Sequence, residues 1–89
     1  MNKLQTKSYL EAVTRFGNIS NAAKHLYVSQ PYLSKVIKEL ENEVGVELIN
    51  RESNPLTLTY AGERYLAYLD EMEMIQQKIC LLYTSDAAD

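Results

Sequence analysis

Gln30, Ser34, Lys35 and Lys38 are the side chains of this chain best suited to chemistry at a surface. Wound as a helix at about 100° per residue, they share one stripe with Pro31 and Asn42. Leu33, Val36, Ile37, Leu40 and Val44 fall in a narrow arc opposite, the side expected to face a core. An amide and a hydroxyl can hydrogen-bond to base edges, and two ammonium groups can sit against phosphates. Gln30 stands at the open N-terminal end, which points at base edges when such a helix enters the major groove of a DNA duplex. Any one of these residues alone would be an ordinary solvated side chain. Together, on one stripe, they point to double-stranded DNA. Catalysis has no comparable constellation. His25 is the sole histidine, and it lacks the second histidine or nearby thiol that a metal site or nucleophile–base pair needs. No glycine-rich phosphate loop is present either. The expectation is a protein that is not an enzyme and uses no metal and no cofactor.

A stripe of this kind works only if its neighbours hold it out at a defined angle. Just upstream, Ile19, Ala22, Ala23 and Leu26 recur at helical spacing and make one buried face. Ser20 can cap that helix, and the paired alanines let another helix come close. Tyr27 and Val28 make a turn. Ser29 then stands where an N-cap belongs, and Pro31 follows within the first turn, where a missing N–H costs little. Two capped helices around so short a turn form a helix-turn-helix. An earlier helix is expected from Leu4 to Phe16, with Tyr9, Leu10, Val13 and Phe16 facing inward and Gly17 and Asn18 ending it. Gly45 should stop the polar-striped helix. Leu48 to Arg51 and Leu56 to Leu58 read as two short strands around a turn at Asn54 and Pro55, a small wing.

A long helix follows, with Thr59 as its N-cap and Glu63 in its first turn. Ala61, Tyr65, Tyr68, Met72, Ile75 and Ile79 are spaced 4, 3, 4, 3 and 4 residues apart, an a/d heptad seam that Leu66 and Leu69 widen. The widening suits a helix that also packs on its own domain, and the alternative is a single amphipathic helix folded back on the core. Because a small core has little room for so long a stripe, the six residues are expected to pair with a second chain and make a homodimer. The fold class is mainly α: a winged helix-turn-helix of three helices and a two-stranded wing, followed by a long linker helix.

Several of these residues resemble a known family. Ala22-Ala23, Leu26-Tyr27-Val28-Ser29-Gln30-Pro31, Leu33-Ser34, Ile37, Leu40-Glu41, Gly45, Leu48, Arg51 and Leu58-Thr59-Tyr60-Ala61-Gly62 look like the N-terminal domain of LysR-type bacterial transcriptional regulators. The resemblance implies sequence-specific DNA binding as a dimer, with the recognition helix in the major groove. It implies Gln30, Pro31, Ser34, Lys35 and Lys38 as groove-facing residues and Arg51 as a wing residue near the backbone or minor groove. Full-length members continue into a ligand-sensing α/β domain, so a small-molecule effector and a tetrameric parent belong to that larger protein. Ser20, Lys24, Ser29 and Tyr32 complete the candidate DNA-contacting set. The chain departs from the pattern at Ile49, where Phe is usual, and at Glu52-Ser53-Asn54-Pro55, a wing tip without basic residues. Tyr32 takes a place often held by a small residue.

Composition sets further bounds. The formal charge is −3, but residues 1–64 hold eight Lys/Arg against seven Asp/Glu, whereas residues 65–89 hold one against five. Binding would rest on the local placement of Lys24, Lys35, Lys38 and Arg51 rather than on a bulk positive field. No apolar run approaches the roughly 18 residues of a membrane span, and the N-terminus lacks a signal-peptide core; the expected location is cytoplasmic. Residues 1–58 are expected to form the winged domain and 59–79 the linker. Residues 80–89 abandon the heptad and resemble the translation of a sequencing-library adapter read in frame, so the native part of this gene fragment is expected to stop near Ile79; the alternative is a natural charged tail. The only cysteine, Cys80, lies there and carries no redox or metal inference. A reading from a different class is a winged-helix interaction module that pairs with a partner chain and has no DNA role. Apolar residues in place of Gln30, Ser34, Lys35 and Lys38 would have favoured it.

Overall fold

A computed structural model describes residues 3–88, with side chains described for 5–82. The elements run α1 (Lys3–Phe16), α2 (Ile19–Leu26), α3 (Gln30–Val44), β1 (Ile49–Asn50), β2 (Thr57–Leu58) and α4 (Tyr60–Ala88). Leu10 and Val13 of α1, Ala22 and Ala23 of α2, Leu33 and Ile37 of α3, and Leu48 and Ile49 beside the wing close into one core. Tyr9 and Phe16 pack at its edge, as their helical spacing implies.

The expected winged helix-turn-helix is present, with differences at element ends. Asn18, not Ser20, caps α2: its side chain accepts from the Asn21 N–H at 2.7 Å. The helix starts at Ile19, two residues earlier than a Ser20 cap would allow, which puts Ser20 inside the first turn. Tyr27 ends α2 in the left-handed region at φ 60°, and the Val28 N–H reaches back to the Ala23 carbonyl at 3.1 Å. Ser29 caps α3, accepting from the Tyr32 N–H at 3.2 Å, and Gly45 terminates it at φ 84°. Val44, expected on the core side, is exposed because the last turn of α3 runs past the edge of the core.

The wing strands pair antiparallel, Ile49 with Leu58 and Asn50 with Thr57. They are shorter than expected because flanking N–H groups bond elsewhere. Leu48 gives its N–H to the Glu41 carboxylate, and Leu56 gives its own to the Gly17 carbonyl at 2.8 Å. Gly17 sits at φ +73°, and a Cβ there would lie 2.6 Å from Pro55 Cβ, so the α1–α2 turn and the wing touch through a position that favours glycine.

Helix α4 starts hard against the wing. Thr59 Oγ1 accepts from the Gly62 N–H at 3.0 Å and donates to the Glu47 carbonyl at 2.6 Å. A Cβ on Gly62 would lie 2.1 Å from the Leu48 carbonyl oxygen, so only hydrogen fits there. The helix does not stop near Ile79 but continues to Ala88. Leu82 lies three residues beyond Ile79, which carries the 4–3 spacing past the compositional break at Cys80. Among the described residues, no helix is long and apolar enough to cross a membrane.

Candidate nucleic-acid interface

The core takes Leu33, Val36 and Ile37 from α3 and leaves Gln30, Pro31, Ser34, Lys35, Lys38 and Asn42 exposed on the helix's other side. The stripe read from the spacing is thus a continuous solvent-facing surface. Gln30 is the first residue of the helix, at the end where unpaired backbone N–H groups and the helix dipole favour negative charge. A carboxamide, a hydroxyl and two ammonium groups on one exposed helix face can donate to phosphate oxygens and to purine edges.

Among the described residues Lys35 pairs with Glu39 at a loose 3.9 Å, with both side chains mostly in water. Such a pair is worth under about 1 kcal/mol, so Lys35 can exchange it for a phosphate at little cost. Lys38 and Lys24 are exposed. Ser29 faces solvent at the turn, where its hydroxyl oxygen holds the cap. Ser20 is half-buried in the first turn of α2, which makes it the most recessed of the candidate set.

Tyr32 is partly exposed and does more than project outward. Burial first, and then the nearby Tyr32, push the Tyr9 phenol on α1 above its usual range. Tyr27, 96% exposed in its left-handed conformation, stands at the turn between the two helices.

Arg51 needs a different account from the lysines. Its guanidinium grips Glu41 of α3 with two nitrogens, Nη2 2.8 Å from Oε1 and Nη1 3.1 Å from Oε2. The same carboxylate accepts from the Leu48 N–H at 2.7 Å and the Ile49 N–H at 3.2 Å. Burial alone would push the Glu41 carboxyl up; the hydrogen bonds from Arg51, Leu48 and Ile49 outweigh it and hold the carboxyl below its usual range. Arg51 is thereby a neutralised cation that ties the wing to α3, and its charge adds little to the field over the stripe. Glu41 is the residue that spacing did not single out. The one local signal was a carboxylate at the edge of an apolar arc, ten residues before an arginine.

The seam of α4 divides in two. Ala61 and Tyr65, expected to face a second chain, pack on the domain's own core. The Tyr65 hydroxyl is buried there without a hydrogen-bond partner among the described residues. Tyr68, Met72, Ile75 and Ile79 are each roughly half exposed and continue the stripe along the projecting helix. His25 packs its ring against Phe16 at 5.0 Å between centroids, a contact between α2 and the end of α1.

Comparison with known proteins matches this arrangement. The family profile described as bacterial regulatory helix-turn-helix protein, lysR family, matches residues 4–63. A probable RuBisCO transcriptional regulator of Trieres chinensis is 39% identical over 77 residues, 86% of this chain and 25% of that protein. The HTH-type transcriptional regulator MetR of Haemophilus influenzae is 43% identical over 63 residues, 71% of this chain and 20% of that protein. The chain thus spans about a quarter of the length of such relatives. Among solved structures, the CbnR DNA-binding domain in complex with DNA superposes with a TM-score of 0.75 at 31% identity, covering 98% of this chain and 99% of that one. The BenM DNA-binding domain in complex with catB site 1 DNA gives 0.74 at 27% identity, covering 100% and 98%.

Proposed function

The chain belongs to the lysR family of bacterial regulatory helix-turn-helix proteins, and from that premise we propose that it binds double-stranded DNA sequence-specifically to regulate transcription. The observation that carries this is the face of α3 left free by the core: Gln30, Ser34, Lys35 and Lys38 are exposed together, at and beyond the capped N-terminus of one helix. The likeness, along nearly the whole chain, to domains solved in complex with DNA supports the same reading. In it, α3 enters the major groove, Gln30 reads a base edge, and Lys35, Lys38 and Lys24 meet the backbone. Arg51 contributes chiefly by fixing the wing.

Residues 1–58 act as the DNA-binding unit and 59–79 as the linker. Two copies pair through Tyr68, Met72, Ile75 and Ile79, and the pair reads two half-sites in the cytoplasm. Any effector response and any tetramer belong to the part of its relatives' length that this chain does not span.

Two substitutions test the reading and separate base readout from phosphate attraction. Gln30→Ala should cost about 1–3 kcal/mol on a selected site and relax preference at one base position, with little change in salt dependence. Lys38→Ala should weaken binding to every sequence alike and lower the slope of log affinity against log salt by about one for each phosphate it no longer neutralises. The measurement is a salt titration of each variant on a selected and on a scrambled duplex. If neither substitution changes affinity, the stripe does not face DNA, and the interaction-module reading takes its place.

A further inference from the structure

The long helix leaves the domain at one place, and a charged clamp sits there. Ala61, Tyr65, Leu66 and Leu69 hold the start of α4 by apolar contact. Past Leu69 every apolar side chain described on α4 is exposed. The last grip on the helix is Lys7 of α1, whose Nζ lies 2.7 Å from Asp70 Oδ1 and 2.5 Å from Glu73 Oε2. The Lys7 side chain is 20% exposed against 57% for Asp70 and 33% for Glu73, so its stem lies along the domain while the ammonium reaches two acceptors that stand at the water's edge. Asp70 and Glu73 stand at i and i+3, neighbours on one face of the helix. Apolar contact is non-directional and lets a helix roll or slide. One ammonium bound to two carboxylates on successive turns resists both roll and tilt.

The clamp lies at the base of a lever. From Asp70 to Leu82 the helix rises about 18 Å at 1.5 Å per residue, and this arm carries most of the exposed seam. A tilt of about 10° at the clamp moves its far end by about 3 Å, close to the roughly 3.4 Å between successive nucleotides of a duplex strand. When two chains pair through that seam, the angle at Lys7 becomes the distance between their recognition helices. We propose that Lys7, acting through Asp70 and Glu73, is the positioning residue that sets which half-site spacing the paired chain accepts. This rests on the DNA-binding, dimeric reading above. Lys7 itself touches no DNA; it acts on the angle of α4.

The test uses the 89-residue chain and a duplex that the wild type selects from a random-sequence pool, remade with base pairs added or removed between its half-sites. Lys7→Ala, and separately Asp70→Asn with Glu73→Gln, should flatten the spacing preference by about fivefold, as expected when a rigid linkage is loosened. Affinity for a duplex with a single half-site should stay at the wild-type level, and Lys7→Arg should restore the preference. A variant that keeps the wild-type spacing ratio overturns the proposal alone. So does one that loses affinity equally on single and paired half-sites, since that is the mark of a damaged fold. A wild type that binds no duplex overturns the DNA reading and this proposal with it. Nitroxides at Lys24→Cys and Lys78→Cys, in a Cys80→Ser background diluted with unlabelled chain, read the angle without DNA. Lys7→Ala should broaden their distance distribution, and an unchanged distribution overturns the proposal whatever the duplexes show.

Discussion

Replacing Glu41 with glutamine removes one charge from the most enclosed polar cluster of the domain, and its cost can be worked from the contacts. The Glu41 side chain is 8% exposed and accepts from two backbone N–H groups and from both terminal nitrogens of Arg51. Breaking a fully buried ion pair by removing one partner costs about 3–5 kcal/mol. Two features reduce that figure here. The Arg51 side chain is 44% exposed and can turn to water, and a glutamine oxygen can still accept from one of the backbone donors. The expected loss is about 2–3 kcal/mol, or a fall in melting temperature of roughly 10–20 °C for a domain of this size. The sign of the pH dependence follows from the lowered carboxyl. Its ordinary value is 4.5 and the folded value is lower, so folding binds fewer protons at this site than unfolding does. The contribution of Glu41 is therefore complete above the ordinary value and is lost as pH falls through the folded one. Thermal unfolding followed by helical circular dichroism should show wild type and Glu41→Gln far apart at neutral pH and converging in acid, as pH falls below 4.5 and through the lower folded value. Arg51→Met should cost much less in the Glu41→Gln background than in the wild type, because the two side chains act as one unit. A glutamine variant as stable as wild type at neutral pH, or a gap unchanged by acid, would refute the reasoning.

Three other outcomes follow from single features. Tyr65→Phe removes a buried hydroxyl without a partner and should raise stability by about 1 kcal/mol, or about 4–8 °C in melting temperature; a lower melting temperature would mean that the hydroxyl is hydrogen-bonded in solution. Gly62→Ala would drive a Cβ to 2.1 Å from the Leu48 carbonyl oxygen and should cost about 1–3 kcal/mol or more as the start of α4 is forced off the wing, seen as early loss of amide protection at Thr59 and Leu48 in hydrogen exchange. Replacing Met72 and Ile75 with lysine should leave a folded, monomeric domain, because neither residue touches its own core. Sedimentation velocity of wild type and variant checks this, and a monomeric wild type well above micromolar concentration would count against pairing.

What the residues determine alone is local and periodic. The stripe of Gln30, Ser34, Lys35 and Lys38 and the apolar arc behind it follow from helix geometry, because side chains three and four apart must share a face. Ser29, Gly45 and Thr59 announce helix ends because their side chains, or the lack of one, satisfy or permit backbone geometry within a few residues. These signals span at most a few turns, so they survive without knowledge of the rest of the chain. The misplaced cap of α2 is local as well. Asn18 and Ser20 can both cap a helix, and the choice rests on a two-residue difference in where the backbone turns.

The packed molecule decided what depends on distant partners. Arg51 reads as a free wing cation until folding brings it to Glu41, and the strand ends shorten because Leu48 and Leu56 find acceptors outside the ladder. Ala61 and Tyr65 share a heptad with Met72 and Ile75, yet only the fold reveals where the domain surface ends and the free helix begins. Lys7 meets its acceptors 63 and 66 residues away. No periodicity encodes such a contact, since it exists only once apolar burial has set α4 against α1. Charge pairing across that distance is a consequence of the fold, and composition by itself is silent about it.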